Sequence, residues 1–245
     1  MLRCTPVLWI CALLAGSASA QAPADPFAAA RAEFQAAWSA VAKTPREAAP
    51  PDSEALRRYP LYPYLQSARL QRELERLPKP AAGSDPTGPL PVDEAVASLL
   101  ASLAEQPAAR SLRRDWLASL AGRRAWPTFL GAYRAERDGG DAGLRCAGFT
   151  ARIALGQDAD LGPAVVETWL TGRSLPEACD APFEWLRARG TLGDELVEQR
   201  ARLALAAGDA ALARYLARSL PAGRAAPLLQ WAALIESPDT AVAAL

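Results

Sequence analysis

Leu203-Ala-Leu-Ala-Ala-Gly-Asp-Ala-Ala-Leu-Ala-Arg-Tyr-Leu216 decides the fold class of this 245-residue chain. Large apolar residues and alanines recur at helical spacing up to Ala207 and again from Ala210. Gly208-Asp209 between them ends one helix and caps the next, because glycine takes the left-handed conformation freely and aspartate accepts from exposed N–H groups. The alanines let two helices approach closely. Short helices joined this tightly are antiparallel neighbours, and a row of them stacks as an α-solenoid.

The same grammar runs outward in both directions. Helices are expected over 92–105, 108–122, 126–137, 142–155, 160–171, 182–189, 194–207, 210–219 and 225–236, with Gly, Pro or Asp at the joints. No segment alternates with strand periodicity, so the fold class is all-α without a β-sheet, a right-handed superhelix of short paired helices. There is no strict 34-residue self-similarity, and the array is degenerate. Upstream, 21–77 holds further helices. The first covers 26–43, with Phe27, Phe34, Trp38 and Val41 on one apolar face. Five prolines and two glycines crowd 78–91, the most linker-like stretch, and the solenoid proper is expected over 92–245.

Composition narrows the chemistry. Lys+Arg and Asp+Glu each number 27. This balance argues against a nucleic-acid surface or a polybasic membrane anchor. Histidine is absent, which removes Ser-His-Asp and Cys-His catalysis, most zinc sites and histidine pH switches. No cofactor fingerprint or phosphate-cradling loop is present. Residues 1–20 read as a cleavable secretory leader: Met1-Leu-Arg3, an apolar core over Val7 to Ala15, and Ala18-Ser-Ala20 at the cleavage point. The expectation is an exported protein without a membrane span.

An exported chain with two cysteines beyond its leader makes Cys146 and Cys179 disulfide partners, a clasp between a helix and a segment two helices later. Between them Glu167-Thr-Trp-Leu-Thr-Gly-Arg-Ser-Leu-Pro-Glu-Ala-Cys-Asp180 sets a helix end, a turn and a new start in fixed order. Gly172 reads as a left-handed helix stop there. Arg113-Arg114 and Arg123-Arg124 are the candidate contact residues for anionic ligands, set against the plainer reading of a solvated face. Trp116, Trp126, Trp169, Trp185 and Trp231 recur near joints, most as core and one or two as stacking surfaces for sugars. Glu33, Glu73, Glu75, Glu195 and Glu198 sit among arginines and read as ion-paired surface.

Three motifs in order, Arg58-Tyr-Pro-Leu-Tyr-Pro-Tyr-Leu65, Arg145-Cys-Ala147 and Trp169-Leu-Thr-Gly-Arg-Ser-x-Pro-x-Ala-Cys-Asp180, resemble the N-terminal helical domain of the soluble lytic murein transglycosylases. The resemblance implies an arc of a helical ring and a periplasmic setting. It also implies peptidoglycan glycan strands as partner, cleaved at the bond between N-acetylmuramic acid and N-acetylglucosamine to leave 1,6-anhydro ends. It does not extend to the lysozyme-like catalytic domain. Glu236-Ser237 has the family's glutamate-serine order but lacks the Gly-Leu-Met-Gln that follows it, and Pro238 stops the helix. Glu236 therefore reads as an ordinary helix end, and no catalytic residue is assigned. The chain is expected to be inactive alone, part of a longer array with an apolar edge near Leu228, Leu229, Trp231 and Leu234. The alternative is a stand-alone periplasmic scaffold for protein partners.

Overall fold

The computed structural model of the chain describes residues 25–78, 88–103 and 106–239. The leader, most of the proline-rich stretch and the last six residues lie outside them. Among the described residues every regular element is helical. The helices are α1 (Ala28–Ala40), α2 (Glu54–Arg57), α3 (Tyr62–Glu75), α4 (Pro91–Leu103), α5 (Pro107–Gly122), α6 (Trp126–Ala132) and α7 (Ala135–Asp138). They continue as α8 (Ala142–Ala154), α9 (Gly162–Trp169), α10 (Asp180–Ala188), α11 (Asp194–Ala206), α12 (Ala210–Ala217) and α13 (Ala222–Glu236). The helices pack on elements a few places away along the chain, α3 chiefly on α5 and α6 chiefly on α8, as a solenoid requires. The segment expected as one helix over 126–137 is broken, because Tyr133 and Arg134 are extended.

The joints explain why the helices stop where they do. At Gly208 φ is +79°. The Asp209 N–H reaches back to Ala204 O at 2.8 Å, and the Asp209 carboxylate accepts from Leu212 N at 2.9 Å. The same backward bond closes α8 at Gln157 and α10 at Thr191, each after a left-handed glycine. It also closes α5, but there Arg124 takes the left-handed position, at φ +56°.

Two large apolar cores lie along the array, beside a small third cluster of Leu103, Ala108 and Ala109. One joins Leu70 and Leu74 of α3 to Val96, Leu112, Leu117 and Phe129. The other joins Val165, Trp169, Phe183 and Leu186 to α11, α12 and α13. Helix α8 serves both: Leu144, Ala147 and Ala151 face the first, while Cys146 faces the second. A disulfide joins Cys146 to Cys179, Cα to Cα 4.9 Å, where α8 meets the single helical turn before α10.

Three local expectations need correction. Gly172 is not left-handed. A Cβ there would lie 2.4 Å from Leu203 O and 2.8 Å from Leu203 C, so the residue is glycine because the turn after α9 runs against the backbone of α11. The aromatic face of α1 is not a buried stripe: Phe27 and Trp38 are exposed, and Ala30 is the buried residue of that helix. Phe34 instead stacks on Trp38 and leans on Tyr59, a ring cluster at the start of the array. Of the apolar edge expected on α13, Leu228 is buried and Leu234 half-buried, while Leu229 and Trp231 are exposed.

Candidate functional site

The array is fastened by a recurring polar device. Tyr62 Oη donates to Asp52 at 2.9 Å while Arg69, seven residues on along α3, grips both oxygens of the same carboxylate at 2.7 and 2.9 Å. Trp116 Nε1 and Arg123 Nη2, again seven residues apart, both donate to Asp93 Oδ1 at 2.8 Å. Trp185 Nε1 and Arg189 converge on Asp158 at 3.1 and 2.5 Å, with the guanidinium 4.5 Å above the indole. Residues four or seven apart lie on one helical stripe, so an aromatic donor and a guanidinium can close on a single acid from another segment. Their charge state follows. Arg69 donates to Asp52 and holds it below the usual carboxylate range against burial, with Tyr62 adding to the effect. Trp185 does the same for Asp158, helped by Arg189. Tyr62 is pushed up by burial and by the facing carboxylate.

The candidate contact arginines separate on this basis. Arg113 lies largely out of water, holding Asp138 through Nε and Nη2 at 2.8 Å each and Ala132 O at 2.5 Å. Arg123 is buried against Asp93. Both are turned into the packing and engaged by aspartates. Arg114 is exposed beside Asp115, and Arg124 forms the helix end described above. The four are not brought together as one basic face. Trp116, Trp126 and Trp169 are buried, Trp185 is half-buried, and Trp231 is exposed. Glu236 ends α13 in an exposed ion pair with Arg214.

One place breaks the fastening rule. Arg200 of α11 is 5% exposed, and its guanidinium lies 4.1 Å from the centroid of Trp169 and 5.7 Å from that of Phe183. It has no carboxylate partner among the described residues. Its one hydrogen bond is long, 3.4 Å from Nη2 to Arg173 O, made possible by the close approach at Gly172. The Nε–H of Arg200 and the Nε1–H of Trp169 are both buried without a partner among the described residues. Burial lowers the pKa of Arg200. Both side chains line a groove of about 950 Å³ between α10 and α12, floored by α11, with Tyr215 65% exposed at its mouth. Sequence reasoning missed Arg200. Its only signal was an arginine at a position where α11 must face its neighbours.

The described residues thus define an α-superhelical scaffold with a groove of mixed charge whose buried arginine, Arg200, has no carboxylate partner among them, and contain no helix long and apolar enough to cross a membrane. No protein-family model matches the chain. The soluble lytic murein transglycosylase of Escherichia coli K12 is 31% identical over 167 residues, covering 68% of this chain and 23% of that protein. The Salmonella typhimurium enzyme matches equally. The crystal structure of the 70 kDa soluble lytic transglycosylase from Escherichia coli superposes with a TM-score of 0.67 at 26% identity, over 88% of this chain and 32% of that one. An inactive mutant of the Pseudomonas aeruginosa lytic transglycosylase gives 0.61 at 25%, over 86% and 37%. The chain is homologous to the soluble lytic murein transglycosylases, and it spans about a quarter of the length of the curated relatives it matches.

Proposed function

We propose that this chain is the helical scaffold portion of a periplasmic soluble lytic murein transglycosylase, which guides glycan strands and does not itself cut them. The observation that carries the reading is the homology at 31% identity across 68% of the chain, together with the superposition of nearly the whole helical array. That it does not cut is part of the same proposal, made on the surroundings of Glu236, the glutamate with the family's glutamate-serine order. A transglycosylase needs an acid raised by desolvation. Asp52, Asp138 and Asp158 are all lowered, and Glu236 is exposed and ion-paired to Arg214. The test is cosedimentation of the purified chain with peptidoglycan sacculi, followed by analysis of the supernatant. Retention on the sacculi without release of 1,6-anhydro muropeptides is expected. Failure to sediment would remove the guiding role, and anhydro products would remove the claim that this segment only guides.

A further inference from the structure

Among the described residues Asp52, Asp93 and Asp158 are each shared by an aromatic donor and an arginine, whereas Trp169 and Arg200 stack with no acid between them. At Asp158 the donors are an indole N–H and a guanidinium stacked 4.5 Å over that same indole. Trp169 and Arg200 repeat the stack at 4.1 Å, and both donors are buried and unspent at the edge of an open groove. A guanidinium taken out of water without a counter-charge is costly, and stacking on two rings offsets only part of that cost. What the pair lacks is a carboxylate. The groove has room for one to arrive on a ligand.

We propose that the groove beside Trp169 and Arg200 is a carboxylate-binding site whose ligand is a short peptide with a free carboxyl terminus. The peptide rests on the reading above, in which the chain works on peptidoglycan; the carboxylate rests on Trp169 and Arg200 alone. Four acids, Asp180, Glu184, Asp194 and Asp209, line the same groove against three arginines; they suit the amino groups of such a ligand, and its carboxyl terminus falls to Trp169 and Arg200. The ring of Tyr215 gives the peptide an apolar face at the mouth. The same carboxylate chemistry is offered by the lactyl group of a peptide-free muramic acid sugar, so the two sources must be separated.

The experiment is calorimetric titration of the chain with three probes: a disaccharide tripeptide, the same compound with its carboxyl groups amidated, and the peptide-free disaccharide acid. The tripeptide is expected to bind and its amide to bind about tenfold more weakly or worse, the size of a charge-assisted contact. Trp169→Phe keeps the ring and removes the N–H, and Arg200→Lys keeps the charge and removes the fork. Each is expected to lower affinity several-fold with an unchanged circular dichroism spectrum. Equal binding of acid and amide by the unaltered chain, or no binding of either, overturns the proposal without recourse to variants. Equal affinity for the peptide-free disaccharide overturns the peptide assignment. Tripeptide binding by a chain that sacculi do not retain supports the groove and removes the guiding role.

Discussion

Asp138→Ala is expected to cost about 3 kcal/mol of folding stability, near the lower end of what breaking a buried ion pair costs. The value follows from what the carboxylate holds. It accepts Nε and Nη2 of Arg113 and the backbone N–H of Arg134, all at 2.8 Å, with its side chain 6% exposed and that of Arg113 13% exposed. Without it, Arg113 keeps only Ala132 O, and a guanidinium largely out of water has no counter-charge. The small opening to solvent on the arginine side places the figure near 3 rather than 5 kcal/mol. Removing both partners in Arg113→Met/Asp138→Ala takes away the stranded charge. It leaves only Ala132 O and Arg134 N to be satisfied, about 1 to 2 kcal/mol. The double variant is therefore expected to be more stable than the single one. Urea unfolding followed by far-ultraviolet circular dichroism measures all three at constant slope. A loss below about 1 kcal/mol for Asp138→Ala, or a double variant no better than the sum of its singles, would refute the assignment of Arg113 to the packing.

Opening the disulfide between Cys146 and Cys179 with Cys146→Ser and Cys179→Ser is expected to cost about 3 to 4 kcal/mol in the loop-entropy account, read as a lower urea midpoint. Gly172→Ala forces a Cβ against Leu203 O and should cost about 2 kcal/mol or more. Gly223→Ala, which meets no atom within 4 Å inside α13, should be neutral or slightly stabilising by the same assay. Stability is expected to fall in acid through Asp52 and Asp138. Arg69 lowers the first, helped by Tyr62 and opposed by burial; in the second, burial pushes up and Arg113 with the Arg134 N–H more than offsets it. A carboxylate lowered on folding contributes fully above its unfolded pKa and loses that contribution as pH drops through the folded one. Thermal melts should therefore hold steady near neutrality and decline below pH about 4, and Asp52→Asn/Asp138→Asn should flatten that decline.

Most of the helical order was legible because the joints carry their own chemistry. Gly208-Asp209 states in two residues the left-handed turn and the cap that the structure shows. What misled was chemistry with two causes. Gly172 ends a helix as glycine often does, but the requirement is imposed by Leu203, 31 positions away in a helix that no local pattern connects to it. The helix expected over 126–137 breaks because Arg134 N must reach Asp138 and Arg113 must reach Ala132 O, a tertiary demand on a sequence with ordinary helical residues. On α1 the aromatic spacing was read correctly but its meaning was not. The rings gather on one another and on Tyr59 because α1 begins the described array and has little to bury them against.

The candidate groove shows why function was harder to read than fold. An arginine two helical turns after a tryptophan or tyrosine is visible in sequence at Trp116/Arg123 and Tyr62/Arg69. The acid that completes each pair lies 23 and 10 residues from the aromatic, on a segment that only folding brings near. Sequence therefore offers many arginines and does not say which are neutralised. Arg113 and Arg123 were candidates because they stand in pairs, and the fold gives both of them aspartates. Arg200 stands alone in sequence, and the fold gives it two rings and no acid. Charge counts alone cannot identify a binding cation in a neutral chain like this one. The discriminating quantity is whether a buried cation's partner is inside the molecule, and among the described residues the stacked pair Trp169 and Arg200 has no carboxylate and lines a groove.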